Sequence, residues 1–197
     1  MKKILLTLSI VCTFMFLSNQ QQVSAQATTH IVKQGESFYS LSQRYGQPVA
    51  AIKRINSKTN NSLKIGERLT IPTSISSQER QLLAKLVYAE AKGESYAGKV
   101  AVATVILNRV DSKTFPDSVR GVVYEVSPSG HYAFSPVKDG AINNSPDTEA
   151  RKAVNEAISF RGQGSGSLYF YNPRTATSGW VATRQQTVVI GNHVFAK

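Results

Sequence analysis

The chain has 197 residues, 23 Lys and Arg against 12 Asp and Glu, a formal charge of +11, 41% hydrophobic residues and one Cys. That length suits one ordinary domain, or a small domain followed by a medium one, and a lone Cys excludes a disulfide framework. The positive excess fits either a polyanionic partner or a generally basic solvated surface; the basic residues are scattered and no nucleic-acid motif is present, so nucleic acid is not the expected partner.

Lys2 and Lys3 precede an apolar run over residues 4–17, followed by Val23-Ser24-Ala25 as a small-residue cleavage site. Residues 1–25 therefore read as a secretory signal peptide. The run has 14 residues, short of the roughly 20 that span a bilayer; cleavage leaving no stable membrane anchor is the expectation, with an uncleaved anchor the alternative. Cys12 lies in this run without a lipoprotein-type lead and leaves with it, which excludes cysteine catalysis. Residues 1–25 hold no acid, so removal lowers the formal charge to +9. A basic exported chain suits an anionic cell wall.

Residues 29–73 form the first unit. His30 begins a short strand over 30–33, Gln34-Gly35 turns, and Ser37 caps a helix over 37–45. Gly46 stops it, Pro48 opens a second helix through Ile55, and an Asn-rich loop leads to Gly66 and a strand over 68–71. Residues 74–78 read as a short polar linker that keeps the first unit close to the second.

The second unit, 79–197, opens with LLAKLVYAEAKGE over 82–94. Leu82, Leu83, Leu86 and Val87 make a helical apolar stripe, Ser76 and Glu79 stand in capping-box relation, and Gly93 is placed to stop the helix. Glu90 falls on the same stripe, three residues after Val87, four after Leu86 and seven after Leu83. Burial there favours the protonated carboxyl, as does the negative end of the helix dipole, and a carboxyl protonated near neutral pH can act as a general acid. The plainer alternative is a Glu at the helix edge, or one paired with a base from elsewhere. Next come an apolar helix through residues 96–110, ended by Asn108 and Arg109, and a short helix after Ser118. A loop rich in Gly, Pro, Ser and Asn spans 127–146, and a helix after Asp147 runs through Ser159. Strands at 168–171 and 187–190 and a hairpin turn at Gly191-Asn192 complete an α+β plan, helices first and then a small antiparallel sheet.

The first unit, in β-α-α-β order with V-K-Q-G-E-S, Y-G-Q-P-V, Ile55-Asn56, L-K-I-G-E and L-T-I-P, resembles the lysin motif (LysM), a module that binds N-acetylglucosamine in peptidoglycan and chitin. The resemblance implies a sugar groove between loops 35–39 and 61–66, hence Gly35, Ser37, Phe38, Leu63, Lys64 and Ile65; for Phe38, core packing is equally expected. The second unit carries L-V-Y-A-E-A-K-G-E, G-K-V-A-V-A-T-V-I-L-N-R-V, F-P-D-S-V-R-G-V-V-Y, F-S-P-V-x-D-G, Y-N-P-x-x-A-T-S-x-W and I-G-N-H-V-F. In these it resembles the cell-wall hydrolase family that includes the spore cortex-lytic enzymes. The resemblance implies a lysozyme-like, mainly helical catalytic domain with Glu90 as its acid. It also implies peptidoglycan as partner, no metal or organic cofactor, and a secreted, wall-associated location that includes the spore envelope. The LysM replaces a different binding domain in the best-known cortex enzyme, which leaves spore cortex against vegetative wall open.

Further candidates for substrate contact each have a structural alternative. Glu94 faces the cleft or is a solvated acid; Phe134 offers an aromatic wall; Asp139 contacts sugar or shapes a turn beside Gly140. Tyr171 and Asn172 flank the strand loop, Trp180 stacks on sugar or fills the core, and His193 binds or packs. No second acid stands out, and the resemblance implies how such families meet that shortage: a lytic transglycosylase that closes a 1,6-anhydromuramic ring is expected ahead of a hydrolytic muramidase or glucosaminidase. A wall-binding protein without catalysis is the alternative of another class. His30, His131 and His193 include no HxxH or HxxE pair for a zinc amidase, and Gly164-Ser165-Gly166 lacks the flanks of a serine nucleophile elbow.

Overall fold

The computed structural model describes residues 28–176 and 179–197; the leader over 1–25, with Cys12, lies outside the described residues. No described helix is long and apolar enough to cross a membrane. The fold is α+β, with strands β1 (Thr28–Ile31) and β2 (Arg68–Ile71) enclosing helices α1 (Phe38–Tyr45) and α2 (Val49–Ile55) in the N-terminal module. β1 pairs antiparallel with β2, Thr28 opposite Ile71 and Ile31 opposite Arg68. That register sets the first strand two residues earlier than its sequence pattern suggests, and beyond it Lys33 N–H is turned onto the Glu36 carboxylate. Ser37 and Ser40 cap α1 reciprocally, and Gly46 ends it at φ 61°. Asn56 staples α2 to the sheet: its amide oxygen accepts from Thr70 N–H at 2.8 Å and its NH2 donates to the Thr70 and Ile52 carbonyls. Val32, Phe38, Leu41, Ile52, Leu69 and Ile71 form the module's own core.

The larger domain begins with α3 (Ser77–Glu90), whose Ser76–Glu79 capping box forms as expected. The second oxygen of Glu79 also accepts from Val119 N–H at 3.2 Å, tying the start of α3 to α5 (Val119–Val123). The stretch read as a linker therefore ends inside a helix: Ser76 is the cap and Ser77 the first helical residue. Helix α4 (Tyr96–Val110) crosses the centre, packed on α3 and on α7 (Thr148–Ser159). Val102, Val105 and Ile106 are wholly buried, each such side chain contributing about 1.5–3 kcal/mol. The long loop over 127–146 is structured in part, by α6 (Ser135–Lys138), a 3-10 turn (Ala141–Asn143) and a bridge from Val126 to Tyr132. The C-terminal sheet has the order β3 (Tyr169–Tyr171), β5 (His193–Ala196), β4 (Gln186–Ile190), all antiparallel, with α8 (Gly179–Ala182) between β3 and β4 in the chain. Its fully covered strand, β5, is buried at all four positions. Phe195 joins the helical core there.

The two domains meet along one seam. Gly162, at φ 86°, lies against α2 so closely that a Cβ there would fall 2.2 Å from Ala51 N. Arg161 donates to both oxygens of Asp111, at 3.0 and 2.6 Å, and to the Thr73 carbonyl at 2.7 Å.

Candidate active site

Helix α3 ends on Glu90. Leu83, Leu86 and Val87 sit on its buried face, and the same face carries the Glu90 carboxyl past the core to a place where it keeps some contact with solvent. Burial pushes its pKa up to about 7; the negative charge of Asp139 pushes the same way, and the Arg109 guanidinium opposes both. A carboxyl that is about half protonated near neutral pH can both give and take a proton.

The helix is shorter than its sequence suggests. Ala91 is its C-cap and Gly93, at φ 84°, turns the chain, so Glu94 does not continue the face of Glu90. Its side chain is 7% exposed and clasps the β4–β5 turn. It accepts from Asn192 N–H at 3.2 Å and from the Asn192 NH2 at 3.0 Å, with His193 Nδ1 at 3.8 Å. Gly191 takes φ 59°, a left-handed conformation that favours glycine, and a side chain there would also have to displace the Glu94 carboxylate. Burial lowers the His193 pKa, with Glu94 opposing; its ring sits edge-on to Phe170 and Phe195.

Arg109 is the group that the sequence reading passed over as a helix-ending residue. It is 8% exposed, its Nε–H donates to the Leu168 carbonyl at 2.7 Å, and its guanidinium lies 4.9, 5.2 and 5.5 Å from the ring centres of Phe115, Phe134 and Tyr169. Such a cage favours a partly desolvated cation. Its position was the available signal: Arg109 lies seven, four and three residues after Val102, Val105 and Ile106, on the buried face of an apolar helix.

The remaining candidates divide between core and surface. Phe134 is 4% exposed and stacks on Phe170 at 6.3 Å, so it supports the wall from behind and has little ring face to offer a sugar. Asp139 is exposed; one oxygen accepts from Ala141 N–H at 2.9 Å, the turn-forming alternative, while its charge still acts on Glu90. Tyr171 and Asn172 are half-buried, and the Asn172 oxygen accepts from Arg174 N–H. Trp180 is 53% exposed, edge-on to Tyr169 at 5.2 Å, with Arg184 4.6 Å from its ring centre; it lies outside the core. In the N-terminal module, Gly35 takes φ 81°, Ser37 spends its hydroxyl on the helix cap, and Phe38 is 3% exposed in the core. Leu63 packs on that core, whereas Lys64 and Ile65 point outward beside it.

Residues 93–196 match the family described as Cell Wall Hydrolase, and residues 30–72 match the LysM domain. A spore cortex-lytic enzyme of Halalkalibacterium halodurans is 45% identical over 136 residues, 69% of this chain and 40% of that one. One from Oceanobacillus iheyensis is 47% identical over 129 residues, 66% of this chain and 45% of that one. The chain thus spans less than half the length of these curated relatives. The catalytic domain of SleB from Bacillus anthracis, described as a germination-specific lytic transglycosylase, superposes with a TM-score of 0.57 at 46% identity, over 64% of this chain and all of that one.

Proposed function

We propose that this chain, which belongs to the cell wall hydrolase family, cuts the glycan strand of peptidoglycan between N-acetylmuramic acid and N-acetylglucosamine as a lytic transglycosylase. The observation that carries the reading is Glu90: a largely buried carboxyl held up to about 7, still partly reached by solvent, at the end of helix α3. In its protonated form it gives the proton to the glycosidic oxygen as the bond to the anomeric carbon breaks. The muramic 6-hydroxyl then attacks that carbon, and the Glu90 carboxylate takes the hydroxyl proton. The ring closes as a 1,6-anhydro sugar and Glu90 is again an acid. No water is consumed, and the attack profits from being intramolecular.

The scarcity of a second free acid favours this route. Glu94, the nearest acid in sequence, has both oxygens facing Asn192. A hydrolytic reading stays in view on one observation, the charge of Asp139 acting on Glu90; there Asp139 would activate water. The LysM module holds the enzyme on the polymer, and the leader over 1–25 would deliver it to the wall. The spore cortex, and with it sporulation and germination, is the first wall to try, a choice supported by the similarity to spore cortex-lytic enzymes. Glu90→Gln tests the reading: it keeps shape and removes the transferable proton, so lysis of purified peptidoglycan should fall by about a hundredfold or more. Near-normal lysis by the folded variant would overturn it.

A further inference from the structure

The seam between the two domains holds an open groove of about 630 Å³, lined by Ala50, Lys53, Arg54, Lys58, Gly162 and Gln163 among others, with no acid in its lining. That volume is within the range of ligand sites, about 300–1,000 Å³. The groove is a fixed feature. Its floor is the backbone contact that only a glycine at 162 permits, and Arg161, next to that glycine in the chain, is fixed to the Thr73 carbonyl and to Asp111.

Its charge is unbalanced. Arg54 donates to the Asn108 side-chain oxygen at 2.6 Å and to the Gly164 carbonyl at 2.9 Å, both neutral. Lys53 donates to the Thr59 carbonyl at 3.2 Å and to the Asn61 oxygen at 3.0 Å, again neutral. Lys58 is paired with Glu67. Asp111, the acid whose charge reaches Arg54, gives both oxygens to Arg161. Arg54 therefore keeps three N–H donors and Lys53 one, on cations without a carboxylate, and Arg54 is partly screened from water. An oxyanion gains most at such a place.

We propose that this groove binds the peptide-stem carboxylates of peptidoglycan, a third contact between the sugar-binding module and the catalytic domain. The proposal rests on peptidoglycan as the substrate: the polymer that both domains engage is neutral along its sugars and carries its carboxylates on the stems, so charge complementarity selects them. The site exists only with the two domains docked.

The test uses the full chain carrying Glu90→Gln, which removes turnover, titrated with the synthetic stem peptide L-Ala-γ-D-Glu-diaminopimelate and monitored by amide NMR. The expected result is saturable shifts at Lys53, Gly162 and Gln163. They should weaken about threefold to tenfold in Lys53→Glu and vanish for the peptide amidated at its carboxyls. Lys53 is outside the catalytic machinery, and Lys53→Gln repeats the test without a reversed charge. No shift at the seam, a shift indifferent to Lys53 or to amidation, or saturation by poly(glycerol phosphate) without the stem peptide would each overturn the proposal. Sedimentation with purified peptidoglycan separates the two levels. A chain that pellets with the wall but ignores the stem peptide loses the seam site alone, whereas a chain that ignores both loses the peptidoglycan reading and the seam site with it.

Discussion

Glu90→Gln should stabilise the protein, and only above a definite pH. Raising a carboxyl from 4.5 to about 7 makes its ionised form about 3 kcal/mol less favourable in the folded chain than in the unfolded one. The sign comes from linkage. The folded state binds the proton more tightly, so the stability tied to this proton is fully present below about pH 4.5 and is lost as pH rises through 7. Gln imitates the protonated acid and does not titrate. The stability gap between variant and parent should therefore be near zero at pH 4.5, grow through pH 6, and level off near 3 kcal/mol at pH 8. Urea unfolding of both proteins across that range reads the gap directly, and acids and bases elsewhere largely cancel in the difference. Parallel stability curves from pH 4.5 to 8 would refute a strained, buried carboxyl at Glu90, whatever the activity of the variant.

On the proposed mechanism wall lysis requires protonated Glu90, so activity should fall on the alkaline side through about pH 7, and the two flanking charges should move that limb in opposite directions. Asp139→Asn removes the negative neighbour while keeping the oxygen that accepts from Ala141, so a pH–rate profile should show the limb at lower pH; an unmoved limb would place Asp139 out of reach of Glu90. Arg109→Met removes the positive neighbour and should move the limb upward. It should also cost about 1–3 kcal/mol in thermal unfolding, through the orphaned Leu168 carbonyl, and full stability with an unchanged limb would dismiss the caged cation.

Much of this architecture is legible in the sequence because it rests on local chemistry. The Ser37 and Ser76 caps, the Ser118 and Asp147 caps and the Gly191-Asn192 turn all form, each needing only neighbours within a few residues. Glu90 is legible for a related reason, as a carboxyl on an apolar stripe. What local pattern does not carry is long-range pairing. Ala91 and Gly93 end helix α3 locally, but that Glu94 beyond them reaches Asn192, 98 residues away, is not local, and so the second acid of the motif becomes a clasp. Arg109 reads as a polar helix end until Phe115, Phe134 and Tyr169 close around it from three other segments. Nothing local in RGQGSGS sets Gly162 apart from its neighbouring glycines, and its need for no side chain is set by α2 across the seam.

The most direct measurement is the chemistry of the cut end. Purified peptidoglycan digested by the full chain in water enriched in ¹⁸O, then analysed by mass spectrometry, should release fragments ending in 1,6-anhydromuramic acid, lighter than the hydrated sugar by one water and carrying no label. Fragments with an ¹⁸O-labelled reducing end would contradict the intramolecular route and make Asp139 the residue that activates water.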